Sequence, residues 1–187
     1  MIFPAHFSGK SERGDGSPFH AAKDGKLKKA FFLDRDGVVN TEVDYLSDPD
    51  QVEIIAGVPE ALRLLHEAGF LAIVVTNQSG VARGMYSEAD IHRVHARIRE
   101  LIAPETIEGF YYCIHHPKYN GDCDCRKPAP GMLQRAAREH GIDLGQSYMI
   151  GDRMSDLEAG KTAGCAGTVL VRTGYGAETE RKHAPEL

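Results

Sequence analysis

The stretch Ala30-Phe31-Phe32-Leu33-Asp34-Arg35-Asp36-Gly37 decides the fold. Four apolar residues run without polar alternation and stop abruptly at carboxylates. Such a run suits a strand covered on both faces, the habit of a parallel sheet. Four more runs follow it: Phe70 to Val75 ending at Thr76, Gly109 to Tyr112, Tyr148 to Ile150 ending at Gly151-Asp152, and Thr168 to Val171. Helical spacing fills the gaps. Val58 to Ala68 has Pro59 near its start and Gly69 after it; Ser87 with Asp90 makes a capping-box start to a helix reaching about Ile102. Met132 to His140 is stopped by Gly141, and Ser155 with Glu158 opens a helix ending near Gly164. Alternating strand and helix predicts an α/β architecture, a Rossmann-like parallel sheet wound with right-handed crossovers and helices on both faces. The motifs leave no room for a large cap domain.

The remaining composition sets limits. The 187 residues suit one domain, read as 30–187, preceded by a flexible extension over 1–29 rich in Gly, Ser, Lys and His. No apolar run approaches the roughly 20 residues of a membrane span, and the N-terminus lacks an apolar signal core, so a cytoplasmic location with no membrane partner is expected. A formal net charge of -5 offers no general attraction for nucleic acid. An anionic substrate therefore needs a local basic pocket. A monomer or weak homo-oligomer is expected.

In open parallel sheets, ligands bind beyond the carboxyl ends of the strands. Asp34, Thr76 and Asp152 each close an apolar run, which predicts one shared rim. Asp34 and Asp36 repel each other unless positive charge lies near, and Mg2+, which prefers hard oxygen ligands, is a natural partner. A carboxylate can also attack phosphorus and split one displacement into two steps. Thr76-Asn77-Gln78-Ser79 adds a hydroxyl and amides, Arg126-Lys127 adds cations, and Gly151-Asp152-Arg153 adds another carboxylate for the metal, with Asp156 one turn further. Phosphoryl transfer needs such a set: an in-line nucleophile, a metal, and cations on the equatorial oxygens.

A second constellation lies between these motifs. Cys113-Ile114-His115-His116-Pro117 and Asp122-Cys123-Asp124-Cys125 supply three thiols and an imidazole, the ligand set of a closed tetrahedral zinc site. Cys113, His115, Cys123 and Cys125 are the expected ligands, and spacing alone leaves His116 as an alternative to His115. A site with four protein ligands is structural. The loop runs directly into Arg126-Lys127, so zinc is expected to fix the lysine. Cys165 reads as a small core residue.

Asp34-x-Asp36, Thr76, Lys127 and Gly151-Asp152 occur in the order of the four motifs of the haloacid dehalogenase-like phosphatases, and the chain resembles that family over about residues 30 to 175. The resemblance implies Asp34 as nucleophile and Asp36 as general acid and base. It implies Mg2+ held by Asp34, the Asp36 main-chain carbonyl and Asp152. Thr76 and Lys127 would stabilise the transferring phosphoryl group. The zinc loop resembles the branch of heptose bisphosphate and histidinol-phosphate phosphatases, and Thr76 to Gly84 looks like the heptose side of it. By that resemblance Glu42, Asp44, Tyr45, Asn77, Gln78, Ser79, Arg126 and Arg153 are substrate contacts, and a small phosphorylated sugar is the substrate. Histidinol phosphate is the alternative substrate, and a zinc-stabilised phosphate-binding module without turnover is the alternative of another class. The family continues past the fifth strand into another strand and helix, whereas this chain reaches Leu187 soon after it.

Overall fold

A computed structural model describes residues 26–186. The extension expected over 1–29 lies, through residue 25, outside the described residues. Lys28 and Lys29 already belong to the body. Lys28 pairs with the Gly141–Asp143 turn through backbone hydrogen bonds, and the Lys29 ammonium lies 4.0 Å from the Phe70 ring centroid.

All five strands are parallel: β1 (Lys29–Leu33), β2 (Phe70–Asn77), β3 (Gly109–Cys113), β4 (Tyr148–Gly151) and β5 (Gly167–Leu170). Their order is β3-β2-β1-β4-β5, so the strand carrying Asp34 is central and the winding reverses between β1 and β4. The crevice at such a reversal is where this architecture binds ligands.

Side chains alternate faces along each strand, which divides the apolar runs between two cores. Leu33, Ala72 and Val74 pack with Leu62 of α1 (Val58–Glu67) and with Val94, Ile98 and Ile102 of α2 (Glu88–Ile102). On the other face Ala30, Phe32, Ile73, Val75 and Met149 pack with further helices. After the helical turn α3 (Pro117–Asn120), these are α4 (Gly131–His140), through Met132, Leu133 and Ala136, and α5 (Met154–Ala163), through Ala159. Burying residues of this size is worth roughly 1.5–3 kcal/mol each. Among the described residues no helix is long and apolar enough to cross a membrane.

The expected capping box at Ser87 and Asp90 is present: the Ser87 N–H donates to Asp90 Oδ2 at 2.7 Å. The start expected for α5 is displaced. Arg153 occupies the cap and its N–H donates to Asp156 Oδ2 at 3.0 Å, in place of a Ser155–Glu158 pair. Asp156 is drawn to that place by a second attachment, an ion pair with Lys127. After β5 the chain continues into α6 (Gly176–His183), which the sequence reading did not anticipate and which reaches back to the site.

Candidate active site

Asp34 follows β1, and its N–H continues the ladder by donating to Ile150 O of β4 at 3.0 Å. The chain then turns sharply. The Arg35 carbonyl accepts from the N–H groups of Val38, Val39 and Asn40, and Gly37 takes a φ of +79°. Gly37 and Gly174 both approach the Asp152 carboxylate so closely that a Cβ at either would lie within 2.4 Å of Oδ2.

Lys127 is the centre of the charge arrangement. Its ammonium lies 2.9 Å from Asp34 Oδ1 and 2.7 Å from Asp156 Oδ1, and donates to Val75 O at 2.7 Å. All three charged side chains are nearly removed from water. Burial alone would depress the Lys127 ammonium, but Asp156 and Asp34 outweigh it and hold it above its ordinary value. Burial pushes Asp34 up, to about 7, with Lys127 pulling the other way and the carboxylates of Asp156 and Asp36 adding to the rise. The Arg35 N–H also donates to Asp34 Oδ1, at 2.7 Å, so none of these contacts uses Oδ2.

Asp36 is oriented from three sides. Arg35 Nε and Nη2 donate to its two oxygens at 3.0 and 2.9 Å, Asn40 Nδ2 donates to Oδ1 at 2.9 Å, and Gln78 Nε2 donates to Oδ2 at 3.1 Å. Arg35 is fully buried, which the sequence reading did not foresee for the residue between two aspartates. The same Gln78 amide donates to Thr76 Oγ1 at 2.9 Å, and the Tyr86 hydroxyl donates to Gln78 Oε1 at 2.7 Å. Gln78 is thus buried and internally engaged. Thr76 lies inside β2, one residue before its end.

Asp152 is fully buried at the end of β4. The Tyr175 N–H donates to its Oδ2 at 2.8 Å, and the Thr179 hydroxyl donates to its carbonyl at 2.8 Å. Thr173 Oγ1 donates to Gly37 O at 2.6 Å. The segment from Thr173 to Thr179 therefore closes the back of the site. Only its small and hydroxyl-bearing residues, Thr173-Gly174-Tyr175-Gly176, hinted at such close packing.

Oxygens of Asp34, Asp152 and Asp156 all come within 4.8 Å of one another. Both Asp156 oxygens are engaged, by Lys127 and by Arg153 N–H. Asp152 Oδ1 is buried without a hydrogen-bond partner among the described residues. A carboxylate cluster that contains an unpartnered buried oxygen fits a hard divalent cation that completes its shell with water and phosphate oxygens.

The Cys113, His115, Cys123 and Cys125 ligand atoms also gather within 4.8 Å. Cys125 Sγ lies 2.9 Å from Cys113 Sγ, 3.3 Å from Cys123 Sγ and 3.4 Å from His115 Nδ1; Cys113 Sγ lies 3.5 Å from Cys123 Sγ and 3.7 Å from His115 Nδ1. A tetrahedron with Zn–S bonds of about 2.3 Å has edges of roughly 3.8 Å, so the cluster is close to zinc-sized. The hydrogen bond to Cys113 and burial push the Cys125 thiol well above its ordinary value, so a metal entering here would displace protons. His116 faces elsewhere: its Nδ1 accepts from the Lys118 N–H and caps α3.

The loop is joined to Lys127 at two levels. Arg126 Nη1 donates to His115 O at 3.1 Å. Asn77 Nδ2 donates to Lys127 O and the Lys127 N–H donates to Asn77 Oδ1, both at 3.0 Å. Gly131 allows the close turn into α4, since a Cβ there would meet Asp124 O at 2.3 Å.

Around the mouth, Glu42 is half-buried. Burial and then the Asp36 carboxylate push it up to about 7, with Arg153 opposing. Arg153 lies over the Tyr175 ring at 3.6 Å from its centroid, and the Tyr175 hydroxyl is 3.5 Å from Asp44 Oδ1. Tyr45 is exposed with a φ of +55°. Ser79 is half-buried in the loop after β2.

Known proteins agree with this architecture. The family described as HAD-hyrolase-like matches residues 124–187. The D-glycero-beta-D-manno-heptose-1,7-bisphosphate 7-phosphatase of Haemophilus ducreyi is 44% identical over 164 residues, spanning 83% of this chain and 90% of its own. The enzyme of the same name from Escherichia coli K12 is 42% identical over 168 residues, spanning 86% of this chain and 88% of its own. A crystal structure of D,D-heptose 1.7-bisphosphate phosphatase from B. bronchiseptica, complexed with magnesium and phosphate, superposes with a TM-score of 0.76 at 36% identity, covering 82% of this chain and 86% of that one. Sequence motifs, fold and relatives converge: this chain belongs to the haloacid dehalogenase-like phosphatases, alongside the relatives named heptose bisphosphate phosphatases.

Proposed function

We propose that the protein removes the 7-phosphate of D-glycero-D-manno-heptose 1,7-bisphosphate in a Mg2+-dependent reaction. The observation that carries the chemistry is the Asp34–Lys127–Asp156 chain, which engages Asp34 Oδ1 and leaves Oδ2 outside the hydrogen bonds and ion pairs of the described residues, in the same carboxylate cluster as Asp152, whose Oδ1 is unpartnered. The substrate reading is supported by relatives of that name at 42–46% identity.

In this reading Asp34 Oδ2 attacks phosphorus in line with the leaving alkoxide and an aspartyl-phosphate forms. Lys127 neutralises the buried nucleophile and then faces the phosphoryl oxygens. With Thr76 Oγ1 as a donor, it supplies fixed dipoles and charge where negative charge develops. Asp36 gives a proton to the leaving oxygen. It then takes one from the water that hydrolyses the aspartyl-phosphate, so the carboxyl ends the cycle as it began. Arg35, Asn40 and Gln78 hold it in one orientation for both roles. Asp34 and Asp152, with the Asp36 carbonyl, would hold Mg2+, whose charge offsets that of the phosphate when bound. Cys113, His115, Cys123 and Cys125 would hold Zn2+ as a structural ion, which would keep the Arg126–Lys127 segment in place. Of the polar residues near the mouth, Glu42, Asp44, Tyr45, Ser79, Arg126 and Arg153 are free to meet the sugar, whereas Asn77 and Gln78 act through Lys127 and Asp36.

The test is a side-by-side rate comparison with Mg2+ on both anomers of the heptose bisphosphate and on histidinol phosphate. A heptose anomer should be hydrolysed with the largest kcat/KM. Faster turnover of histidinol phosphate would overturn the substrate assignment and leave the chemistry standing.

A further inference from the structure

Arg83 lies in the loop after β2 and takes no part in the chemistry above. Its guanidinium lies 5.0 Å from the Tyr119 ring centroid and 5.6 Å from that of Tyr45. Nη1 donates to the Tyr119 hydroxyl at 3.2 Å, and Nη2 is 3.3 Å from His116 Nε2. Three segments that are distant in sequence therefore meet on one side chain: the 42–45 loop, the 77–84 loop and the zinc loop. Arg83, Tyr45 and Tyr119 are all exposed, and Met85 is exposed beside them.

Five arginines with solvent-exposed side chains, Arg63, Arg93, Arg97, Arg135 and Arg172, each hold a carboxylate. None of the contacts of Arg83 among the described residues is a carboxylate. Two more cations stand on the zinc loop: Lys118 Nζ lies 5.9 Å from the Tyr119 ring centroid, and Arg126 Nη1 donates to His115 O. A chain with formal net charge -5 thus gathers three cations at one side of its active-site mouth. Ring faces fix a guanidinium without consuming its in-plane donors, and a guanidinium carries five N–H groups in a fork that matches phosphate. An arginine held by aromatic faces, with donors to spare and no internal counter-ion, is prepared for an external anion.

We infer that Arg83 is a specificity-determining residue that binds the phosphate at the far end of the substrate from the reacting one, with Tyr45 and Tyr119 holding its guanidinium in place. The inference rests on the sugar bisphosphate reading above. It explains how a site without a cap domain can prefer a substrate with two phosphates over one with a single phosphate. Placing Arg83 on the zinc loop's own Tyr119 also ties recognition of the far phosphate to the segment that carries Lys127.

The experiment compares kcat/KM for the heptose bisphosphate with kcat/KM for p-nitrophenyl phosphate, which has no second anion, in the wild type, Arg83→Met and Arg83→Lys. The ratio should fall about 10- to 100-fold in Arg83→Met, the effect of losing a hydrogen bond to a charged group, with the loss mainly in KM. Arg83→Lys should recover part of it. A ratio unchanged in Arg83→Met would overturn the inference, either because both substrates suffer alike (Arg83 is then only a brace between loops) or because neither does. A wild type that does not prefer the bisphosphate over p-nitrophenyl phosphate would instead overturn the reading on which the inference rests.

Discussion

The Asn77 side-chain amide pairs with both backbone groups of Lys127, its Nδ2 with the carbonyl and its Oδ1 with the N–H, each at 3.0 Å. The end of β2 thus grips, across 50 residues of sequence, the lysine that pairs with Asp34. Asn77→Ala should leave the Lys127 N–H without its partner and destabilise the protein by about 1–3 kcal/mol. A displaced Lys127 should lower kcat by about 100-fold, with little change in KM. Thermal unfolding and steady-state kinetics check both. A variant with lowered stability and normal kcat would show that Lys127 is positioned by its ion pairs alone.

The four-ligand cluster predicts one zinc per chain. His115→Ala should lose the metal, whereas His116→Ala, whose imidazole caps α3 instead, should keep it. Elemental analysis of the purified variants decides between them. Removing zinc should lower Tm by roughly 10 °C, since a few kcal/mol corresponds to shifts of that order in a chain of this size, and kcat should fall with it.

The buried carboxylates make Mg2+ binding pH-dependent. Asp34 is raised from 3.8 to about 7 and Asp152 is raised as well, both chiefly by burial. Each is a group whose folded value exceeds its unfolded one. Its contribution to stability is fully present below the unfolded value and is lost as pH climbs through the folded value. The metal-free protein should therefore lose stability from these groups between about pH 4 and pH 7. Mg2+ binds the ionised form, so its apparent affinity should weaken about tenfold per pH unit below 7 for each proton displaced. The rise in Tm on adding Mg2+ should be small at pH 5 and larger at pH 8. An equal rise at both would place the metal away from Asp34.

Much of this was legible in the sequence, and what escaped has a common cause. The unbroken apolar run before Asp34 and those before Thr76 and Asp152 were sufficient to place three site residues at one rim, because strand direction fixes where a run ends. Cys113, His115, Cys123 and Cys125 were legible because metal ligands cluster within short spacings. Hydrogen-bond partners distant in sequence left no local mark. Gln78 read as a substrate contact, yet its amide faces inward to Asp36, 42 residues away. Asp156 read only as a carboxylate one turn beyond Asp152; it joins the Asp34 and Asp152 cluster and also pairs with Lys127 and caps α5. Asp34 and Asp36 read as two carboxylates in need of positive charge nearby. The turn at Arg35, closed by three N–H groups on one carbonyl, points Asp36 into a cage of Arg35, Asn40 and Gln78. The support that Tyr175 and Thr179 give to Asp152 comes from a helix beyond the last recognised strand.

The central claim is that Asp34 is the nucleophile. The direct measurement is to quench the enzyme with acid during turnover, reduce the protein with borohydride and sequence the peptide that contains residue 34 by mass spectrometry. An acyl-phosphate at Asp34 would be converted to homoserine at that position, and Asp34→Asn should retain its zinc and its fold while losing turnover by at least about 10⁴-fold, the scale set by removing a covalent nucleophile. Modification at another carboxylate, or an Asp34→Asn variant with normal turnover, would contradict the account.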